Sequence, residues 1–99
     1  MTLRRVGFTA VPPGAKAGFD HADTYLDPRG SRLYVAHTGA DRVDVLDCKS
    51  GVHLRSIAGF PGVAGVLVDS ANDLLFTSDR TAARVSILRA SDATWSDAT

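Results

Sequence analysis

The chain has 99 residues, 44% hydrophobic and 22% charged, which is enough for one small domain with a buried core. Eleven basic side chains balance eleven acidic ones, so the charge excess that holds nucleic acid or an anionic membrane is missing. The lone Cys48 excludes an internal disulfide; lying just before the turn Lys49-Ser50-Gly51, it reads as a small turn or edge residue, with no base in the sequence to activate its thiol.

The N-terminal Met1-Thr2-Leu3-Arg4-Arg5 is basic, but Gly7, Thr9, Pro12 and Pro13 interrupt any apolar run after it. No secretory leader is read there, no run reaches the length of a membrane span, and a cytoplasmic location is the expectation. Val6–Val11 has the pattern of a strand, and 12–18 that of a loop. Residues 1–18 are therefore read as a leading strand and loop, either the outer strand of a blade completed elsewhere or an irregular start. Strands follow at Ala22–Asp27, Arg32–Ala36, Arg42–Asp47 and Val52–Ile57, separated by the turns Asp27-Pro28-Arg29-Gly30-Ser31, Thr38-Gly39-Ala40-Asp41 and Lys49-Ser50-Gly51. Proline presets φ, glycine supplies positive φ, and Asp bonds the backbone ahead of it, so each of these stretches has the chemistry of a turn. Arg42–Asp47 alternates polar and apolar, as a half-buried strand does.

The pattern then recurs without a gap. Leu33 maps onto Leu75 and Val43 onto Val85, a constant shift of 42 positions. Ala22/Ala64, Asp27/Asp69, Arg42/Arg84 and Leu46/Leu88 are identical, and Tyr34/Phe76 and Val45/Ile87 conservative. Strands are expected at 64–68, 74–78 and 84–88, with a last one starting near 94. A fixed period near 40 residues made of four short strands predicts an all-β chain of β-propeller blades, each a four-stranded antiparallel meander. Residues 19–60 form the first blade and 61–99 the second, truncated in its last strand. Closed propellers have about four to eight blades. The expected partners are accordingly the remaining blades of a longer chain, or further copies of this one.

The segment Leu33-Tyr34-Val35-Ala36-His37 to Asp47 resembles the YVTN-type β-propeller repeat of YncE-like proteins. Tyr34-Val35 match the repeat, Ala36-His37 stand where it has Thr-Asn, and Phe76-Thr77-Ser78-Asp79 is a looser copy. The resemblance spans roughly residues 20 to 92 and implies a module that binds a small molecule or protein, or acts as a scaffold, with no cofactor. Some similar propellers, of the gluconolactonase and regucalcin type, are metal-dependent lactonases. They imply the alternative, in which a divalent metal polarises a carbonyl or activates water near His21, Asp23, His37 or Asp79.

In a blade of this order the loop entering the first strand and the turn between the second and third share one rim. That places Asp20, His21 and Asp23 near His37, Thr38 and Asp41, with Asp79 and Arg80 on the matching rim of the second unit. His21, Asp23, His37, Asp41, Asp79 and Arg80 are the candidate ligand-binding residues. Histidine with carboxylate suits zinc, manganese or iron, but both histidines equally serve as turn caps or backbone partners. Arg42 and Arg84 fit anion binding, or a structural ion pair with Asp41 or Asp44 in one unit and Asp79 in the other. Asp27 and Asp69 read as turn formers, His53 as an exposed outer-edge residue and Trp95 as packing. Gly14 and Gly18 are too loosely spaced for a phosphate loop.

Overall fold

The computed structural model of the chain describes residues 2–91 and the backbone of Thr94–Trp95. The protein is all-β. β1 (Ala22–Tyr25), β2 (Arg32–His37), β3 (Arg42–Asp47) and β4 (His53–Ala58) form one antiparallel sheet in chain order. β5 (Val63–Asp69), β6 (Leu74–Asp79), β7 (Arg84–Arg89) and the two-residue β8 (Thr94–Trp95) form a second. The expected continuation of the last strand past Trp95 lies outside the described residues.

The two sheets share a register. Leu33 faces Leu46 and His37 faces Arg42 in the first; Leu75 faces Leu88 and Asp79 faces Arg84 in the second. Their β2–β3 and β6–β7 turns both close on a left-handed residue, Asp41 (φ 53) and Ala83 (φ 52). The other turns use aspartate. Asp27 accepts from the Arg29 side chain and backbone N–H, and Asp69 from Asn72 in the same way. These side-chain donors hold both carboxyls below their ordinary range. The stability they add is therefore present above the unfolded carboxylate pKa and fades as the pH falls through the folded one.

Successive side chains on a strand point to opposite faces, and this sorts the core. Tyr34, Ala36, Val43 and Val45 point from the first sheet towards the second, where they meet Phe60, Val63, Leu75 and Leu88. β5 packs against β1 and β2. Polar links pin the contact. Asp23 Oδ2 accepts from the Val68 amide at 2.7 Å, and Arg32 Nη1 donates to the Ser91 carbonyl at 2.7 Å. Thr38 Oγ1 donates to the Val63 carbonyl at 2.6 Å, and the Tyr34 hydroxyl to the Ala90 carbonyl. Burial raises the Tyr34 phenol pKa, so the hydroxyl keeps the proton it donates. Tyr34→Phe removes that donor from a fully buried site and is expected to lower unfolding free energy by about 1–2 kcal/mol. Urea denaturation followed by circular dichroism checks it; an unchanged midpoint contradicts it.

Three local expectations differ from the structure. Val6–Val11 is not a strand: residues 2–20 carry no strand, and Leu3, Val6 and Phe8 are each more than 80% exposed. No strand of either sheet pairs with Val6–Val11; Thr9 instead donates its side-chain hydroxyl to the Gly51 carbonyl. The first strand ends at Tyr25, because Asp27 is spent on the turn. His53 lies on the edge strand, as expected, but is half-buried and not exposed. A bulge between Val45 and Leu46 turns it inward, where Nε2 lies 3.0 Å from Ser56 Oγ, and its side chain is 22% exposed.

Candidate functional site

Two features stand out at the turn end of the sheets: a buried carboxylate centre in each sheet, and a groove between them.

In the first sheet the centre is Asp44. It is fully buried and accepts from His37 Nδ1 at 2.7 Å, Arg42 Nε at 3.0 Å and Ser56 Oγ at 2.6 Å. A carboxylate only accepts, so Nδ1 of His37 carries the proton. Phe19 stacks on the His37 ring with centroids 4.2 Å apart, and His37 is 3% exposed. In the second sheet the centre is Asp79, 1% exposed. It accepts from Thr77 Oγ1 at 2.8 Å, Ser86 Oγ at 2.5 Å and Arg84 Nε at 2.9 Å. The arginines occupy equivalent positions, but the carboxylate has changed strand. His37 and Asp44 in one sheet correspond to Asp79 and Ser86 in the other. Both sheets keep one buried carboxylate, one arginine and hydroxyl donors, so the demand for a paired buried charge is met twice by different residues. The ion pairs of Arg42 with Asp44 and of Arg84 with Asp79 are thus internal.

The groove, about 630 Å³, lies above these centres. Its floor is the β2–β3 turn with Thr38, Gly39 and Asp41, and the facing loop with Pro61 and Gly62. One wall is residues 15–20, and the other is Arg80-Thr81. The local folding is specific. Gly39 N–H donates to the Gly18 carbonyl and Lys16 N–H to the Gly39 carbonyl, so the leading segment is laced to the turn. A Cβ on Gly39 would collide with the Lys16 carbonyl, and one on Gly62 with Thr81. Asp41 Oδ1 accepts from the Gly62 amide at 2.8 Å, which ties one sheet's turn to the other's approach loop.

The six candidate residues therefore separate. Asp41 and Arg80 line the groove together. His37 and Asp79 are buried beneath it, committed to internal partners. Asp23 is a strut, with Oδ1 on the Thr24 amide and Oδ2 on that of Val68. His21 is 73% exposed, 3.5 Å from Asp20, and lines a different, apolar groove. The role of Asp44 escaped the sequence reading as a site, although its alternation with Val43 and Val45 put it on the face of His37. Lys16 and Phe19, also in the groove wall, carried no motif.

The divalent metal of the lactonase-like alternative does not fit these residues. Asp23 and Asp79 are surrounded by N–H and O–H donors that occupy their oxygens. Among the described residues no three His, Cys, Asp or Glu side chains form a group that would hold a metal ion. The chain matches no protein-family model, no curated protein and no solved structure.

Proposed function

We propose that the chain is a pair of adjacent β-propeller repeat units of the YncE-like kind, a binding module that takes a small-molecule or protein ligand in the rim groove and carries no chemistry of its own. The observation that supports this reading is the place of the groove. It opens where the turns of two repeat units meet, and Asp41 and Arg80 line it at positions that do not match between the copies. Shared positions serve packing; unshared ones on a rigid sheet end are where a binding specificity is grafted. Opposite charges from Asp41 and Arg80, with Lys16 and Asp20 beside them, favour a polar ligand bearing both donors and acceptors.

The test is an amide-shift titration of ¹⁵N-labelled chain against a library of small polar fragments. Shifts should cluster at Thr38, Gly39, Asp41, Gly62 and Thr81. Arg80→Ala should weaken the best fragment about tenfold, the loss of one charged hydrogen bond. Shifts confined to other surfaces, or no shifts at all, overturn the reading.

A further inference from the structure

Lys16 and Arg80 stand on opposite walls of the rim groove. The backbone of Lys16 is fixed, its N–H donating to the Gly39 carbonyl at 3.0 Å, and Arg80 Nε lies 3.5 Å from the Gly62 carbonyl. Among the described residues neither cation has a carboxylate partner, whereas Arg29, Arg42 and Arg84 each have one. The carboxylates of the groove each have a polar neighbour. Asp41 Oδ1 accepts from the Gly62 amide at 2.8 Å, and Asp20 Oδ1 lies 3.5 Å from His21 Nδ1. The charge left unpaired in the groove is therefore positive, and it comes from two sides.

Phe19, on the same wall as Lys16, is 57% exposed although one face of its ring is covered. That face stacks on His37, with centroids 4.2 Å apart and planes 24° from parallel, and Asp44 holds His37 in turn. An aromatic ring fixed from behind and open in front is a platform for a second ring. None of the three residues recurs: Ala58, Pro61 and Thr38 stand at the positions equivalent to Lys16, Phe19 and Arg80. Packing, which repeats through both units, does not call for them.

We propose that the rim groove takes a small organic anion with a flat ring. The ring lies on Phe19, and the acidic group, a carboxylate or a phosphate, sits between Lys16 and Arg80. This rests on the rim-groove reading and narrows its ligand. A guanidinium presents a planar fork to either acid, and an ammonium on the facing wall meets the remaining oxygen. At about 630 Å³ the groove has the room of a small-molecule site. A one-ring ligand has few atoms to contribute, so its affinity is expected at about 1–5 mM.

Amide-shift titrations of the ¹⁵N-labelled full chain test this with phenyl phosphate, benzoate, inorganic phosphate, acetate and benzyl alcohol. Phenyl phosphate and benzoate should move Gly39, Gly62 and Thr81. Inorganic phosphate and acetate lack the ring, benzyl alcohol lacks the charge, and each should bind at least about fivefold more weakly. The tighter of the two aryl acids tells phosphate from carboxylate. Lys16→Gln and Arg80→Gln should each weaken the aryl acids about tenfold and leave benzyl alcohol unchanged. Phe19→Leu should weaken the aryl acids about fivefold. Should a variant not fold, the wild-type chain carries the test. Raising NaCl from about 20 mM to about 500 mM should weaken benzoate about fivefold, and the ligand's ring protons should show nuclear Overhauser effects to Phe19. Benzyl alcohol or acetate binding as tightly as benzoate overturns the proposal, and so do aryl-acid shifts away from the groove. Neutral polar fragments that move the groove amides while both aryl acids do not would overturn it and leave the rim-groove reading standing. Silence from every fragment removes both.

Discussion

Asp79→Ala is expected to lower unfolding free energy by about 3 kcal/mol. The carboxylate is buried at 1% exposure and satisfies Thr77 and Ser86, themselves 1% and 2% exposed. Removing it strands two hydroxyls away from water, at about 1–3 kcal/mol each. Arg84 adds less, because its side chain is 48% exposed and its Nη2 keeps the Gly59 carbonyl as a partner when the carboxylate goes. The order of loss should therefore be Asp79→Ala, then Asp79→Asn, which keeps one acceptor, then Arg84→Ala. A domain of this size has a total stability near the low end of about 5–15 kcal/mol, so the first variant should be partly unfolded at 37 °C. Urea denaturation of all three is the measurement. A loss under about 1 kcal/mol for Asp79→Ala, or an equal loss for Arg84→Ala, would show that the carboxylate is not the centre of this network.

The second large effect is a rescue. His37→Asp in the first sheet sets two carboxylates side by side, at positions where Ser86 and Asp79 in the second sheet lie 2.5 Å apart. Like charges so placed in a buried site cannot both ionise, and the variant should lose about 3 kcal/mol or more. Asp44→Ser alone leaves His37, Arg42 and Ser56 without their acceptor, for a loss of about 3 kcal/mol. The double variant His37→Asp with Asp44→Ser recreates the second sheet's arrangement: carboxylate on β2, hydroxyl on β3, and Arg42 placed as Arg84 is. It should be more stable than either single variant, with a coupling of about 2–3 kcal/mol. Rescue stays incomplete, because Val35 stands where Thr77 supplies a hydroxyl and Phe19 loses its stacked ring. Simple additivity of the two losses in a double-mutant cycle would refute the exchange.

Much of the fold is legible in the sequence. The turn aspartates, the glycines and the alternation of Arg42–Asp47 locate strands by local chemistry alone, and all four expected strands of the first unit appear with ends shifted by one or two residues. Val6–Val11 shows the limit: a strand pattern forms a strand only where another strand's free N–H and C=O groups stand beside it. The bulge that turns His53 inward is likewise a feature of the pairing between β3 and β4, not of either sequence. The arginine ion pairs were legible as one of two readings, because Arg42 and Arg84 recur at one position and each has an acidic neighbour within a few residues.

The candidate residues lie towards one end of the sheets, and the structure gives them different surroundings. His37, Asp41, Asp79 and Arg80 sit in or beside one turn each, and sequence spacing ranks them alike. What separates them is which face each side chain takes and what lies over it. Asp41 and Arg80 flank a gap between the sheets and line the groove. His37 and Asp79 point into the sheet faces, where they are dry and already bonded.

By itself the sequence determined that the regular structure is β strand, where most of the turns fall, and that residues such as Leu33, Arg42 and Val43 recur 42 positions on as Leu75, Arg84 and Val85. Those properties follow from short-range chemistry: φ preferences, side-chain alternation and aspartate bonding its own turn. Only the tertiary structure decided which face of each sheet is covered, which carboxylate is buried, and where a groove opens. Burial is a property of neighbours brought together from distant positions, and identical spacing in the two halves leaves Val43 dry and Val85 in water.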